Sequence, residues 1–594
     1  MLHSTRALAR GAAFFAALPL FALPSAAQAV VAPVDRAAEI DRLLQVGQED
    51  NRVQEHLHYL TTGIGARLTS STNLTRACEW ARAQFESFGL EAHIEEWGTF
   101  PVGFDAGPHT GGMVAPEKID YVYRTPAWTP GTPGPTRGRA LLEPTTEEEL
   151  EAIRPQLAGA WLVRGNARVR RSVREVLDAA IQEAGVAGEV RKGGDRITVF
   201  GNHRIEWDER NDRMVSVRLL NEHYDDLHAR LVAGDEVELE FDIDNRFLPG
   251  PVPLYNVIAD IPGTELPDEY VVIGGHIDSW HAAQGTNDNG TGVATTMEAA
   301  RLLMASGAQP KRTIRFMLWS GEEQGLLGSR GWVNAHTDLM PKISAALVHD
   351  KGTNYLSGMV APAKIAEQLR GVFEPVAELN PDMPFSVREN QGFNRMAGSS
   401  DHASFLREGV PGLFWEQSGR TTYGDFWHTH YDTFDSAVPE YQRHSALVVA
   451  VGALGIANLD GLLDRDGLFS QGGGNNQRNS TRRRMGVSLE DTEVTRVFED
   501  SMAERAGWQE GDVIVSIDGV DVADRRAVVE QLQKGGPVKT VVLQREEERV
   551  TTTLDYTGTP SEQAREAQRR AEEEAAGEGE EEPAEEPAEG GGGR

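Results

Sequence analysis

The stretch YVVIGGHIDSW, residues 270–280, contains a predicted strand followed by two side chains that can bind a metal or transfer a proton. Residues 270–273 are apolar and mostly β-branched, and a pair of glycines follows them, which predicts a short buried strand. His276 and Asp278 come directly after that strand. Side chains at the carboxyl end of a buried strand are well placed to meet a ligand.

The same arrangement recurs further along the chain. The loop GTNDNG at 285–290 contains Asp288, and apolar residues at i, i+4, i+7 and i+11 from Val293 to Met304 predict a helix after it. The other predicted strands are 313–319, which precedes Glu322 and Glu323, 343–348, which precedes Asp350, and 410–415. Strands that alternate with helices indicate an open α/β sheet, in which ligands bind outside the carboxyl ends of the strands.

Six polar side chains would therefore meet at one edge of this sheet. They are His276, Asp278, Asp288, Glu322, Glu323 and Asp350. Clustered carboxylates repel one another unless cations neutralise them. Carboxylate and imidazole ligands suit zinc, with manganese or cobalt as chemical alternatives. The single cysteine, Cys78, excludes a Cys-rich metal site and is expected to be a buried helix residue.

Composition excludes several other classes of protein. The 594 residues are 40% hydrophobic and 25% charged, an ordinary globular balance. The formal net charge of −33 argues against nucleic acid as the main partner. No apolar run reaches the roughly 20 residues of a membrane-spanning helix.

The two ends of the chain differ from its middle. Residues 1–29 combine Arg6 and Arg10, an apolar run at 11–23 and the tripeptide Ala-Gln-Ala at 27–29, which predicts a cleaved signal peptide and export to the periplasm or the extracellular space. Residues 558–594 are mostly Ala, Glu, Pro, Gly and Arg and are expected to form a disordered acidic tail.

Six ordered motifs give the chain a family resemblance. They are GHIDSW at 275–280, NDNG at 287–290, WSGEEQG at 319–325, Asp350, SDH at 400–402 and HTHYDT at 428–433. In these motifs the chain resembles the M28 family of co-catalytic zinc peptidases, most of all its carboxypeptidase Q and aminopeptidase branch. The resemblance implies a mixed, mostly parallel sheet flanked by helices, the zinc exopeptidase fold.

The resemblance also implies a role for each residue of the site. His276 and Asp350 would hold one zinc ion, Glu323 and His428 a second, and Asp288 would bridge the two ions. Glu322 would be the general base, and Asp278 would orient His276 and raise its basicity. Such a pair of ions binds a bridging water and lowers its pKa.

The sequence leaves some of these assignments open. His349 could replace Asp350 as a ligand, and His430 could replace His428. His281 is expected at the surface or rim of the site, and His402 is expected to be structural. Three residues are candidates for stabilising an oxyanion or gripping a substrate terminus: Tyr423, Tyr431 and Arg395.

Two further modules are predicted around the peptidase, which is assigned to 30–104 and 257–465. Residues 105–256 resemble a protease-associated insert, with a strand within 159–165, a helix over 173–184 and a closing strand over 227–242. A linker at 466–482 is rich in Gly and Asn. Residues 483–557 resemble a PDZ domain, which implies binding of a peptide C-terminus near 485–487.

The predicted function is that of a secreted di-zinc exopeptidase. It would hydrolyse peptides or dipeptides through a metal-bridging water, as an aminopeptidase or dipeptidase. A carboxypeptidase of the same family and a non-catalytic peptide-binding relative are the alternatives. The sequence does not predict the oligomeric state or the side-chain preference.

Overall fold

The structure is a computed structural model that describes residues 35–559 except 166–168, 170, 202–204, 378, 397, 471–482, 499–500, 547 and 558. The predicted signal peptide, the predicted tail apart from Thr559, and the predicted linker beyond residue 470 lie outside these residues. None of the helices in the described ranges has the length and apolar character needed to cross a bilayer.

The described chain alternates between helices and strands. The helices are α1 (Arg36–Glu49), α2 (Val53–His58), α3 (Thr72–Ser87), α4 (Glu147–Ile153), α5 (Arg171–Glu183), α6 (Asn221–Ala233), α7 (Thr291–Ser306), α8 (Leu327–Ala335), α9 (Ala363–Phe373), α10 (His402–Arg407), α11 (Tyr423–Phe426), α12 (Pro439–Ala457), α13 (Met502–Arg505) and α14 (Arg525–Gln533). The strands are β1 (Glu91–Phe100), β2 (Gly103–Ala115), β3 (Ile119–Asp120), β4 (Tyr123–Arg124), β5 (Thr136–Leu142), β6 (Trp161–Val163), β7 (Gly188–Lys192), β8 (Ser216–Leu219), β9 (Glu238–Leu248), β10 (Val252–Ile261), β11 (Leu266–His276), β12 (Arg312–Trp319), β13 (Ile343–Val348), β14 (Tyr355–Pro362), β15 (Ser386–Asn390), β16 (Gly412–Ser418), β17 (Val487–Glu490), β18 (Glu493–Val497), β19 (Val513–Ile517), β20 (Val520–Asp521), β21 (Val538–Arg545) and β22 (Glu548–Asp555).

The central sheet carries the strands that the sequence predicts. Its order is β1-β10-β12-β11-β13-β16-β14-β15. The pairs β11–β12, β11–β13, β13–β16 and β14–β15 are parallel, whereas β1–β10, β10–β12 and β14–β16 are antiparallel. The α/β class and the mixed, mostly parallel sheet are therefore confirmed.

Strand β11 is buried on both faces of this sheet. Val271 and Ile273 join a hydrophobic cluster that includes side chains of α7 and α12. Val272, on the other face, packs in a cluster with Trp332 of α8 and Phe405 of α10. Because successive side chains of a strand point to opposite faces, a strand between two helical layers needs apolar residues at every position. This packing fixes the end of β11, where His276 lies.

The chain between β1 and β10 forms a second sheet, in the order β3-β2-β9-β5-β6-β7-β8-β4. Its buried cluster includes Trp161, Val190, Val217 and Phe241. The strand predicted within 159–165 is present as β6, and the predicted helix over 173–184 is present as α5. The assignment of this region as a protease-associated insert remains a prediction.

The strand predicted over 227–242 is wrong in its first half. Residues Asn221–Ala233 form α6, which ends at Gly234 in a left-handed conformation with φ of 88°. Tyr224 and Leu227 are three residues apart and both buried, so a helical period governs this part of the segment. The alternation after Gly234 does produce a strand, β9.

The last described unit contains β17 to β22 with α13 and α14. Strands β17-β18-β19-β21-β22 are neighbours in that order, and β20 pairs with β19. A separate hydrophobic cluster, which includes Trp508, Ile514, Val528 and Leu543, fills its interior. This unit therefore has a core of its own.

Candidate metal centre

The predicted site residues come together at the carboxyl edge of the central sheet. Parallel strands end at the same edge, so residues far apart in sequence become neighbours there. The elements that carry them are the end of β11 for His276, the turn after β12 for Glu322 and Glu323, the turn after β13 for Asp350, the segment before α7 for Asp288, and the loop after α11 for His428.

Asp288 lies between the two histidines, with one carboxylate oxygen facing each. Its Oδ1 is 3.2 Å from His276 Nε2, and its Oδ2 is 3.2 Å from His428 Nε2. Ligand atoms of His276, Asp288 and Glu323 all lie within 4.8 Å of one another. A carboxylate with an imidazole beside each oxygen has the arrangement of a bridging ligand between two cations.

A second carboxylate accompanies each histidine. Asp350 Oδ1 is 3.4 Å from His276 Nε2, and Glu323 Oε2 is 2.9 Å from His428 Nε2. We call His276 with Asp350 the His276 half of the site, and His428 with Glu323 the His428 half. The two halves share Asp288.

Asp278 is fully buried behind the two glutamates. Its Oδ1 accepts a hydrogen bond from the Glu322 backbone N–H (3.2 Å), and its Oδ2 accepts from Glu323 N–H (3.3 Å) and the Thr69 hydroxyl (2.8 Å). The Nδ1 of His276 is 3.0 Å from the Asp278 backbone oxygen and 3.6 Å from its carboxylate. Asp278 therefore orients His276 through its carbonyl, and its carboxylate holds the turn that carries both glutamates.

Glu322 lines a cavity of about 440 Å³ beside the halves of the site. Its Oε2 is 3.9 Å from His276 Nε2, and its side chain is 11% exposed. Burial raises the pKa of Glu322 well above its ordinary range despite the opposing charge of His276, and Asp350 and Glu323 raise it further. A carboxylate with a raised pKa next to a cavity can accept and return a proton.

The site carries an excess of negative charge that bound cations would neutralise. Burial and the nearby Asp288 raise the pKa of Glu323 to about 7. Burial lowers the pKa of His428, but Glu323 and Asp288 outweigh it and raise the value to about 10. Carboxylates pushed toward protonation beside imidazoles pushed toward the charged form show that negative charge is in excess here.

The donor set also fits zinc by distance. Tetrahedral ligands about 2.0–2.1 Å from a zinc ion lie roughly 3.3 Å from one another. The contacts of Asp288 and Asp350 with His276 are 3.2 and 3.4 Å. These side chains can therefore hold a divalent cation with little rearrangement.

Asp432 supports the centre and was not predicted from the sequence. Its two oxygens accept hydrogen bonds from the backbone N–H groups of Asn287 (2.5 Å) and Asp288 (3.1 Å). Burial raises its pKa to about 7. Its position four residues after His428, within the motif HTHYDT, is the sequence feature that could have identified it. Asp401, in SDH, is likewise fully buried, and burial raises its pKa to about 7.

The alternative histidine ligands make other contacts. His349 Nε2 is 3.5 Å from the side-chain nitrogen of Gln417, and burial lowers the pKa of this histidine to about 4. His430 Nδ1 accepts a hydrogen bond from Ile197 N–H (3.1 Å), so its ring faces the segment that connects β7 and β8. The geometry favours Asp350 and His428.

Of the remaining residues that the sequence analysis considered for the site, some line it and others lie elsewhere. Tyr423 lines the cavity, with its hydroxyl 3.5 Å from Asp350 Oδ1. Arg395 donates to the Arg407 carbonyl and stacks over the Phe469 ring. The others are His281, half-buried with Nε2 3.0 Å from the Thr125 carbonyl, His402, whose ring packs on Phe414, and Tyr431, which is 46% exposed.

Comparison with known proteins defines the class. Residues 256–452 match the model of Peptidase family M28, and residues 493–545 match the model of a PDZ domain. The chain is therefore a metallopeptidase with a Peptidase M28 domain at these residues, followed by a PDZ domain.

Among individual proteins, the chain is similar to carboxypeptidase Q. It is 26% identical to the Bos taurus protein over 441 residues, which cover 73% of this chain and 90% of the relative. A probable aminopeptidase of Saccharomyces cerevisiae is 30% identical over 217 residues, 33% of this chain and 56% of the relative. The solved structure of a Peptidase M28 precursor from Shewanella amazonensis shares the fold, with 22% identity and a TM-score of 0.53 over 73% of this chain and 99% of that one.

Proposed function

We propose that this protein is an exported exopeptidase with two zinc ions, and that it acts as an aminopeptidase or dipeptidase on short peptides. The position of Asp288 carries the proposal, since each of its carboxylate oxygens lies 3.2 Å from a different histidine. Export is proposed from the signal-peptide pattern in residues 1–29.

The halves of the site would each hold one ion. His276 and Asp350 would bind the first, His428 and Glu323 the second, and Asp288 would bind both. Zinc bound there supplies Lewis-acid polarisation of the scissile carbonyl and of a water. All these donors are oxygen or imidazole nitrogen, as zinc catalytic sites use.

Glu322 would move the proton. Its carboxylate borders the cavity and is 3.9 Å from the nearest ligand nitrogen, a longer distance than any of the ligand pairs. It could accept a proton from the attacking water and deliver it to the departing amine. Asp278, which holds the backbone of Glu322, would keep the base in position.

The charge of the cavity favours a free amine on the substrate. Glu322 lines it and is not a proposed zinc ligand, so its carboxylate would attract a cationic N-terminus. An N-terminal blocking group would remove that attraction. This is why an aminopeptidase or dipeptidase is the leading proposal.

One residue favours the second candidate, a carboxypeptidase. Lys351 is exposed, lines the same cavity and lies over the Phe414 ring, with Nζ 5.3 Å from the ring centroid. Among the described residues, no carboxylate oxygen lies within 4 Å of the Lys351 ammonium group, so no close anion neutralises its charge. Such a cation could bind a substrate carboxylate. A dipeptidase would use both kinds of contact.

The PDZ domain would supply a second peptide contact. Such domains accept a peptide as an added strand and hold its terminal carboxylate on backbone amides. Here the segment at 485–487 would take that role, next to β17. Long substrates with a free C-terminus are the proposed partners of this unit.

The experiment compares one dipeptide sequence in free, N-acetylated and C-amidated form, using the full chain supplied with zinc. Cleavage of the free and amidated forms but not the acetylated form is the result expected of an aminopeptidase. Cleavage of the free and acetylated forms but not the amidated form would overturn it in favour of a carboxypeptidase. The Lys351→Gln variant should lose rate on the free form relative to the amide only if this lysine binds the carboxylate.

A further inference from the structure

We propose that residues 196–200, which lie between β7 and β8, position His428. The unit that contains the second sheet, residues 103–248, would in this way help to build the metal centre. The inference rests on the proposed function, because it assigns His428 to zinc. It goes beyond that function by making Phe200, a residue outside the peptidase sheet, a positioning residue for one half of the site.

The backbone of this segment pairs with the loop that carries His428. Val199 N–H donates to the His428 carbonyl (3.0 Å), and His430 N–H donates to the Ile197 carbonyl (3.1 Å). Thr198 and Thr429 form an antiparallel bridge between these bonds. The loop is therefore held from both sides of His428 by a segment more than 220 residues earlier in the sequence.

The ring of His428 lacks the usual polar support. A histidine that binds a metal commonly donates its other ring N–H to a carboxylate or carbonyl, which fixes the ring. His276 has this support, with Nδ1 3.0 Å from the Asp278 carbonyl. The buried Nδ1 of His428 has no hydrogen-bond partner among the described residues.

Aromatic rings surround His428 instead. Phe200 meets the imidazole edge to face, with centroids 5.0 Å apart and planes at 79°. Trp427 stacks on it at 4.1 Å, and Trp280 lies at 5.9 Å. Phe200 also contacts both tryptophans, at 6.0 and 5.9 Å. Phe200 is the ring in this group that the second unit contributes.

The conformation of His428 needs such support. Its φ of 57° lies in the left-handed region, which residues other than glycine seldom adopt. Conformations of this kind persist when surrounding contacts determine them. The paired backbone and the packed rings are those contacts, and together they aim Nε2 at Asp288 and Glu323.

The test is the zinc affinity of the full-length Phe200→Ala protein, measured by titration against a competing chelator. We expect one of the two zinc ions to bind roughly 10- to 100-fold more weakly, as is typical when a contact that orients a ligand is lost. The other ion should bind as in the wild type. Phe200→Tyr should restore the affinity, because it keeps the ring.

A matched control is Phe498→Ala in the PDZ domain, since Phe498 is 42% exposed and Phe200 is 45% exposed. This variant should bind both ions normally. Melting of the zinc-free proteins separates positioning from general packing, because a positioning residue changes mainly the stabilisation that zinc adds.

Equal zinc affinities in wild type and Phe200→Ala, with a lower zinc-free melting temperature in the variant, would overturn the inference. That result would leave the proposed function intact. A wild-type chain that binds fewer than two zinc ions would instead contradict the proposed function itself.

Discussion

The His276 half and the His428 half of the centre use similar ligands but are built differently. His276 ends a strand buried between two helical layers, and its second ring nitrogen faces a carbonyl oxygen. His428 lies in a loop, in a left-handed conformation, against the segment that connects β7 and β8 of the second sheet. The peptidase sheet alone can form the first half, whereas the second depends on contacts from outside that sheet.

This difference indicates how such a site can be assembled. The strand ends of an α/β sheet supply a rigid edge for part of the ligands. The remaining ligand comes from a loop whose position other modules can adjust. Changes in the second sheet's unit can therefore alter one half of the centre while the other stays fixed.

The largest effect is expected from Glu322→Gln, which removes the proposed base and leaves every ligand of both halves in place. Turnover should fall by roughly 10²–10⁴-fold, while zinc content stays at the wild-type level. Rates on a free dipeptide and zinc analysis of the same samples provide the measurement. Glu265→Gln, an exposed glutamate outside the site, is the control.

If Glu322→Gln lost zinc as well as rate, Glu322 would be a ligand and not the base. The roles of the neighbouring glutamates would then have to be exchanged.

Replacing one ligand in each half compares the halves directly. Asp350→Asn should empty the site in the His276 half, and Glu323→Gln the site in the His428 half. Each protein should keep about one zinc ion and lose at least roughly 10²-fold in rate, because both ions act on the substrate. Zinc counting by native mass spectrometry checks this. A variant that keeps two ions with full affinity would contradict its assignment.

Smaller effects are expected from the buried aspartates behind the ligands. Each uses both oxygens as acceptors, Asp278 toward Glu322 and Glu323, and Asp432 toward Asn287 and Asp288. An asparagine has one acceptor oxygen, so Asp278→Asn or Asp432→Asn leaves a backbone N–H unpaired. Roughly 10- to 100-fold losses in activity are expected.

Rates and circular dichroism of the two asparagine proteins would separate this effect from unfolding. Wild-type rates in a folded Asp432→Asn protein would show that Asp432 does not support Asp288.

The smallest effect on short substrates is expected from removing the PDZ domain. Its hydrophobic cluster is separate from those of the peptidase, and every proposed ligand precedes residue 463. A chain that ends at residue 472 should cleave a dipeptide about as fast as the full chain. The ratio of its rate on long peptides to its rate on the dipeptide should fall below that of the full chain, because the domain would raise the effective concentration of a long substrate.

Loss of dipeptide cleavage in a folded chain ending at residue 472 would show that the PDZ domain contributes to the centre. An unchanged ratio of rates would indicate a packing role for the domain.

The sequence predicts the His276 half better than the His428 half. The predicted strand 343–348 matches β13, and 313–319 lies within β12, because runs buried on both faces are apolar at every position. The polar residues after such runs follow from the same pattern. His276, Glu322, Glu323 and Asp350 could therefore be placed from local sequence alone.

The contacts around His428 are non-local and leave little local signal. Nothing in residues 196–200 indicates pairing with a loop near residue 428, and the function of Asp432 depends on the fold of the Asp288 segment. The error over 227–242 has a local cause, since Gly234 separates a helix from a strand within one stretch of mixed polar and apolar residues. A single sequence shows the rigid edge of the site but not the contacts between modules.

The central claim is that one carboxylate, Asp288, joins two zinc sites. The direct measurement is the number of zinc ions bound per chain in the wild type and in Asp288→Asn, together with their rates on a free dipeptide. The account predicts two ions in the wild type, weaker binding of both ions in the variant, and a rate that chelation abolishes and zinc restores. A wild-type chain fully active with no bound metal, or an Asp288→Asn chain that binds both ions as tightly as the wild type, would contradict it.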